Sequence, residues 1–297
     1  MGINGILNIN KSRGCTSFSV VARLRRLTGE KRAGHAGTLD PAASGVLPVC
    51  LGQATRVVEY IMMDTKEYVA GIELGTSTDT YDSEGHITGR GDPGSISLPD
   101  IQSTLRNFSG TFEQMPPAFS ALKKKGRHYY DLAREGKPVS ASPRKVIIDS
   151  LEILEFNRPY LKLRIRCGKG TYVRSLAHDL GNLLGCGAYL KDLVRTAYGP
   201  FDIEGAVDID EIEKALRKGS LEDLIYPLDF PLSHWKKVVL DEEHVLEVFK
   251  GHNMTLNIDN PQVNEFCRAY DPRGGFLAVM KFIPESELWH PEKVFSL

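Results

Sequence analysis

Most features that would commit a chain to a cofactor, a metal or a membrane are missing from this sequence. Its five cysteines (Cys15, Cys50, Cys167, Cys186 and Cys267) are odd in number and never fall at C-x-x-C spacing. That argues against a disulfide framework or a zinc cluster and fits a reducing cytoplasm. There is no G-x-G-x-x-G loop and no P-loop; Gly168-Lys169-Gly170-Thr171 has the residue types but lacks the upstream glycine spacing. No apolar run approaches the ~20 residues needed to span a bilayer. The first residues lack a basic segment followed by an apolar one, so no secretory leader is expected. His178 and Asp179 are adjacent rather than three or four residues apart, and read as surface groups of a helix rather than metal ligands. Neither an internal repeat nor a low-complexity tract occurs. Chemistry is therefore expected from ordinary side chains, with no cofactor and no metal.

What is present is a globular composition, 41% hydrophobic and 25% charged. A length of 297 residues suits one large domain or two unequal ones. The net charge of -1 conceals an asymmetry. Residues 1–64 carry +4, 65–116 carry -5, 117–198 carry +9 and 199–297 carry -9. The +9 block suits a polyanionic partner, although ordinary surface patterning gives the same total.

Along the chain, residues 5–9 read as a strand. Ser17 is placed to cap a helix running to about Thr28, with Val20, Val21, Leu24 and Leu27 as its stripe and Gly29 as its stop. Arg23 lies off that stripe and is a candidate for holding a phosphate backbone, with a solvated helix face as the alternative. Residues 66–75 and 161–167 alternate like strands, the second with one wet face. Residues 76–85 and 89–94 read as loops. A helix is expected over 172–184 on a stripe of Leu176, Leu180, Leu183 and Leu184. Pro227 and Pro231 mark the passage to a β-rich tail with candidate strands at 237–240, 266–270 and 276–282, and a hairpin turn at 271–275. This divides the chain into domains of 1–230 and 231–297.

Two stretches invite a functional reading. Residues 112–145 interleave aromatic side chains with Lys123, Lys124, Lys125 and Arg127, and 129–136 read as a short helix. Rings that stack on bases beside cations that face phosphates suit a nucleic acid, and a closed core would use the same tyrosines. Residues 34–45 pack Gly34, Gly37 and Gly45 around Asp40-Pro41. Pro41 restrains Asp40 to an extended conformation. The carboxylate should therefore sit on a fixed loop, able to serve as nucleophile, base or electrostatic stabiliser.

Gly34-His35-x-Gly37-x-Leu39-Asp40-Pro41 with Ala43-Ser44-Gly45 resembles the catalytic motif of pseudouridine synthases of the TruB class. The likeness continues through Tyr68 and Thr78-Asp79-Thr80-x-Asp82, Gln114-x-Pro116-Pro117-x-Phe119, Lys169-Gly170-Thr171-Tyr172-Val173-Arg174 and Leu193-x-Arg195-Thr196, covering about residues 3–230. It implies an α+β pseudouridine-synthase catalytic fold, a mixed and largely antiparallel sheet flanked by helices, followed by a small PUA-like β-rich domain. It also implies isomerisation of the T-loop uridine (position 55) of tRNA. On that likeness Asp40 is the essential aspartate, Tyr68 stacks on the flipped uracil and assists loss of the C5 proton, and Arg174 pairs with Asp40. Tyr172 and Leu193 wall the pocket, His35 supports the opened RNA loop, and about 117–145 is an RNA-gripping insertion. A stand-alone cytoplasmic monomer is expected, binding the tRNA T stem-loop without an obligate protein partner or a membrane. The alternatives are a tRNA-binding or folding protein with secondary catalysis, a guide-RNA-dependent synthase of the same fold, and a nucleoside hydrolase.

Overall fold

Alternation along two strands decides the layering. In Lys66–Leu74 and Tyr160–Cys167 every second side chain is buried. Tyr68, Ala70, Ile72 and Leu74 join Leu161, Leu163, Ile165 and Cys167 on one face of a sheet. The Val173–Leu183 helix covers that face with Val173, Leu176, Ala177 and Leu180, and the Leu98–Leu105 helix adds Ile101 and Leu105. Each large aliphatic group buried here contributes about 1.5–3 kcal/mol. Leu183, expected in the stripe, is 59% exposed. The helix ends there, and Leu184 packs on the core in its place. His178 and Asp179, expected at the surface, are half-buried, and the His178 ring stacks on Tyr81 at 3.8 Å.

The computed structural model describes residues 2–117, 119, 123–124, 127–128 and 142–296. Its main sheet runs in the order Ile225–Tyr226, Gly5–Lys11, Ala43–Leu51, Ala188–Tyr198, Lys66–Leu74, Tyr160–Cys167, Arg144–Asn157, Gly110–Gln114. Ala33–His35 and Phe201–Asp202 attach to it as short strands. All described pairings are antiparallel except that of Ala43–Leu51 with Ala188–Tyr198. In this parallel pair Leu193 lies opposite Ala43 and Arg195 opposite Gly45. Across its other edge Arg195 lies opposite Tyr68. Residues scattered over 150 positions of sequence thus meet in the middle of one sheet, which is the mixed, largely antiparallel α+β architecture expected.

The Ser17–Thr28 and Ile209–Lys218 helices cover Leu7, Ile9, Leu47, Val49 and Leu51. Thr16, not Ser17, caps the first of these, its hydroxyl accepting from the Ser19 amide at 3.0 Å. Ser17 is freed for another contact, described below. Residues expected as loops contain a hairpin of Thr76–Thr78 and Ile87–Arg90, whose second strand is wholly exposed and so carries no apolar alternation.

A second sheet orders Lys236–Val239, Phe266–Tyr270, Phe276–Ile283 and Leu288–Val294, with the first pair parallel. The tail also holds a Glu242–Lys250 helix, capped by Asp241. That helix buries only Val248 fully, and the last strand carries Pro291 and charged residues in its middle, so neither shows a clear period in sequence. Tyr270, Phe276, Val279 and Phe295 share one cluster with Ile6, Val46 and Cys50, so the two sheets are joined by a common apolar contact. Lys123–Lys124 pairs with Arg127–His128 as a two-stranded ladder. Lys125 and the 129–136 helix lie outside the described residues.

Gly45 sits at φ +101°, and a Cβ there would fall 2.3 Å from the Arg195 carbonyl oxygen. Gly45→Ala is therefore expected to cost at least ~2 kcal/mol of stability, combining left-handed strain with a backbone clash. Urea unfolding of the purified variant measures it.

Candidate active site

Asp40 is held on a loop tied down from several sides. Ser17 Oγ donates to the Leu39 carbonyl at 3.1 Å and accepts from the Leu39 amide at 2.9 Å. The Gly14 amide donates to Pro41 O at 2.9 Å, and the Ala43 amide to Asp40 O at 3.0 Å. On the other side the Tyr198 hydroxyl donates to Ala36 O, and Arg195 Nη2 to Gly37 O at 3.2 Å. The carboxylate side chain remains 42% exposed. Backbone and loop are thus fixed while the carboxylate oxygens stay accessible.

Arg174 lies in the first turn of the Val173–Leu183 helix with its side chain only 8% exposed. Its Nε is 2.9 Å from Asp40 Oδ2. The N–H points off the carboxylate axis, so the contact is an ion pair by distance rather than an aligned hydrogen bond. Nη1 donates to Asp82 Oδ2 at 3.3 Å and to Thr80 O at 3.3 Å, and Nη2 donates to Phe119 O at 2.9 Å. Asp82 is itself buried, accepting from Thr80 Oγ1 at 2.5 Å and from the Glu84 amide at 3.1 Å. The guanidinium is therefore oriented by Asp82 on one side and presents Asp40 on the other. Gln114 fixes the helix start: its side chain donates to Tyr172 O at 3.0 Å and accepts from the Tyr172 amide at 2.8 Å. Ser175 Oγ donates to Met115 O at 2.7 Å, tying the chain just after the Gly110–Gln114 strand to the same helix.

These elements enclose a cavity of about 300 Å³, within the size range of small-ligand sites. Asp40, Tyr68, Tyr172, Arg174 and Leu193 all line it. Lys66, Lys169 and Arg195 line it too, so four cations face one carboxylate. A larger cavity of about 520 Å³ adjoins it through Lys66 but receives nothing from the Asp40 loop. The charge surplus of the smaller one suits an anionic or electron-rich ligand. Burial pushes the Tyr68 phenol above its usual range, while the Arg195 guanidinium beside it works the other way. Burial also lowers the Lys66 ammonium to about 8, with Arg195 adding to the shift. Lys66 Nζ donates to Met62 O at 2.9 Å and Asp64 O at 2.5 Å, and lies 4.5 Å from the Tyr198 ring centroid. Among the described residues no group of three or more His, Cys, Asp or Glu side chains is placed to hold a metal.

His35 stands behind the Asp40 loop rather than in the cavity wall. Its Nδ1 accepts from the Gly37 amide at 3.2 Å, and burial, then Arg195, lowers its pKa, which keeps the ring neutral. Arg23 is not brought to this site. It pairs with Glu213 at 2.6 Å and Asp210 at 2.9 Å, bridging two helices, because its helix faces the Ile209–Lys218 helix rather than the cavity. Sequence reasoning named no role for Asp82, Gln114, Lys66 or Arg195. Asp82, Gln114 and Arg195 stand inside the motifs given above, but a buried polar group has no sequence signature until its partners are known.

Residues 25–173 match the model of the TruB family pseudouridylate synthase N-terminal domain, and residues 174–233 that of the tRNA pseudouridylate synthase B C-terminal domain. The chain belongs to the TruB family. It is 47% identical over 295 residues to tRNA pseudouridine synthase B of Dehalococcoides mccartyi, covering 99% of this chain and 97% of that one. It is 46% identical to the enzyme of that name from Francisella philomiragia, covering 95% and 92%. Among solved structures, a Cbf5–Nop10–Gar1 complex matches with a TM-score of 0.76 and 27% identity over 98% of this chain and 85% of that chain. An H/ACA ribonucleoprotein bound to a substrate RNA containing 2′-deoxyuridine matches with a TM-score of 0.76 and 25% identity over 99% and 85%. As a family member, the chain is an enzyme, a pseudouridine synthase.

Two measurements test the electrostatics. Arg174→Met leaves Asp82 buried without its cation, so it is expected to cost about 3–5 kcal/mol in urea unfolding. Lys66 behaves differently, because its folded pKa lies below the unfolded value of 10.5. The unfolded chain holds more protons between about pH 8 and 10.5, so stability contributed by this site rises with pH across that window. Relative to Lys66→Met, the parent protein should gain stability from pH 8 upward and show no such gain below it, as read by unfolding at fixed pH values.

Proposed function

We propose that this protein acts on tRNA and converts the T-loop uridine at position 55 to pseudouridine. One observation carries the reading: a half-exposed Asp40 ion-paired to a buried Arg174 at the edge of a cavity walled by Tyr68, Tyr172 and Leu193. The relatives named tRNA pseudouridine synthase B align over nearly the whole chain, which favours a tRNA substrate. The same length match favours stand-alone action over a guide-RNA particle.

The target base lies stacked within a folded RNA loop and must be extruded into the pocket. There Tyr68 stacks on the uracil while Tyr172 and Leu193 confine it. Asp40 then acts on the nucleoside as an oriented carboxylate, attacking at ribose C1′ or base C6. The C1′–N1 bond breaks, the uracil turns, and C1′ bonds to C5. C5 loses a proton and N1 gains one, so the reaction balances as an isomerisation. Tyr68 takes the C5 proton. His35 supports the opened RNA loop from behind the Asp40 loop. The 117–198 block, with Lys123, Lys124, Lys125 and Arg127, holds the phosphate backbone. No helix among the described residues is long and apolar enough to cross a membrane, and cytoplasmic action fits a tRNA substrate.

The test uses unmodified tRNA tritiated at uracil C5, without added metal or cofactor. Tritium release with the product mapped to the T-loop uridine is expected from the parent protein. Asp40→Asn should lose at least ~100-fold in rate while still binding tRNA. A folded Asp40→Asn protein that works at the parent rate would sink the assignment, and release of free uracil would indicate a hydrolase. Neutralising Lys123, Lys124, Lys125 and Arg127 together should weaken tRNA binding and flatten its logarithmic salt dependence by up to ~3. An unchanged affinity and slope would remove that segment from the RNA interface.

A further inference from the structure

Arg195 is 1% exposed, among the most deeply buried large side chains of the chain. Among the described residues no carboxylate lies within 4.0 Å of its guanidinium, unlike Arg174, which has two. Its Nε donates to Val46 O at 2.6 Å and its Nη2 to Gly37 O at 3.2 Å. These two carbonyls flank the Asp40 loop. Its guanidinium carbon stands 4.8 Å from the Tyr198 ring centroid, and Tyr198 in turn donates to Ala36 O. The strand register sets Arg195 between Gly45 and Tyr68 on its two neighbours. A buried cation without a carboxylate is costly, and a fold carries one where its charge has use.

We propose that Arg195 is a positioning residue for the isomerisation, holding the Asp40 loop through two backbone carbonyls and giving the Tyr68 phenol a fixed positive neighbour. The proposal rests on the reading of Tyr68 as acceptor of the C5 proton. To take that proton Tyr68 must first release its own to solvent. The C5–H bond then breaks, its electron pair restores the C5–C6 double bond of the uracil, and the proton passes to the phenolate oxygen. The groups that bear on the phenol are Arg195, Cys167, Asp40 and Tyr198, whose own hydroxyl is pushed up by burial and stays neutral. The Cys167 thiol is pushed up to about 11 and is neutral at working pH. Asp40 opposes a second negative charge, but its own charge is engaged by Arg174. Arg195 is thus the member of this set that favours phenolate, against a burial that disfavours it.

The experiment places a fluorinated tyrosine, whose phenol ionises nearer neutrality, at position 68 and follows its fluorine NMR signal against pH. It does so in otherwise unaltered protein, in Arg195→Met and in Arg195→Lys. The midpoint is expected to move to higher pH in Arg195→Met and to remain near the parent's in Arg195→Lys, which keeps the charge. In parallel, with Tyr68 unmodified, single-turnover tritium release by Arg195→Met should fall ~100-fold. tRNA affinity should stay within a few-fold, and the pH–rate profile should be displaced upward. Arg195→Lys should recover the profile but only part of the rate, because an ammonium lacks the planar fork that reaches both carbonyls. One midpoint common to all three proteins overturns the proposal. So does a folded Arg195→Met with the parent's rate, or a loss of rate matched by an equal loss of tRNA affinity. If the parent releases no tritium while the midpoint still moves, the assigned function fails and the influence of Arg195 on the phenol stands.

Discussion

The Arg174 guanidinium, buried between Asp40 and Asp82, is the contact on which the rest of the site depends. One cation serves two carboxylates of different character: Asp82 is as buried as the arginine, and Asp40 is open to the cavity. Removing charges from water costs several kcal/mol each unless geometry and further hydrogen bonds compensate. Here Thr80, Glu84 and Phe119 contribute backbone or hydroxyl partners to one end of the network. That arrangement sets the direction of the guanidinium, and the guanidinium sets that of the Asp40 carboxylate. Preorganised charge of this kind needs no rearrangement during reaction.

The sheet makes the network possible. A parallel pairing in an otherwise antiparallel sheet brings the strand after Asp40 beside the strand bearing Leu193 and Arg195. The antiparallel pairing on the far edge adds Tyr68. Two kinds of force then act on the same residues. Apolar burial of Leu176, Leu180 and their neighbours seats the helix that carries Arg174. Backbone hydrogen bonds through Ser17, Arg195 and Tyr198 hold the loop that carries Asp40. A loop restrained by three side chains from two separate elements can hold a reactive group to the tolerance catalysis requires.

Charge is distributed unevenly for a related reason. The cavity gathers Lys66, Lys169, Arg174 and Arg195, whereas Arg23, as basic as any of them, is committed to Glu213 and Asp210 on a helical surface. A surface arginine with two carboxylates in reach is an interhelical tie. A buried one without such partners shapes the field of a pocket. The two cannot be told apart by residue type.

Local signals were legible where a short period or a rigid motif carries the information. The alternation of 161–167, the glycine stop at Gly29, the hairpin turn at 271–275 and the glycine-proline loop around Asp40 follow from side-chain geometry within a few residues. The family likeness added the pairing of Asp40 with Arg174, and the structure brings those two groups to 2.9 Å. Legibility failed where a position depends on distant partners. Leu183 has the spacing of a core residue and is exposed because its helix ends beneath it. Ser17 looks like a cap and is instead a clamp on Leu39, 22 residues away. Asp82, Gln114, Lys66 and Arg195 are polar residues whose burial depends on strand register and on a parallel pairing between segments far apart in the chain. Sequence alone determined the strands and helices of clear period, the tight turns and the rigid aspartate loop, because those rest on local periodicity and restricted backbone angles. Only the tertiary structure decided which charges are buried together, because that depends on long-range packing and on the partners it brings within hydrogen-bonding distance.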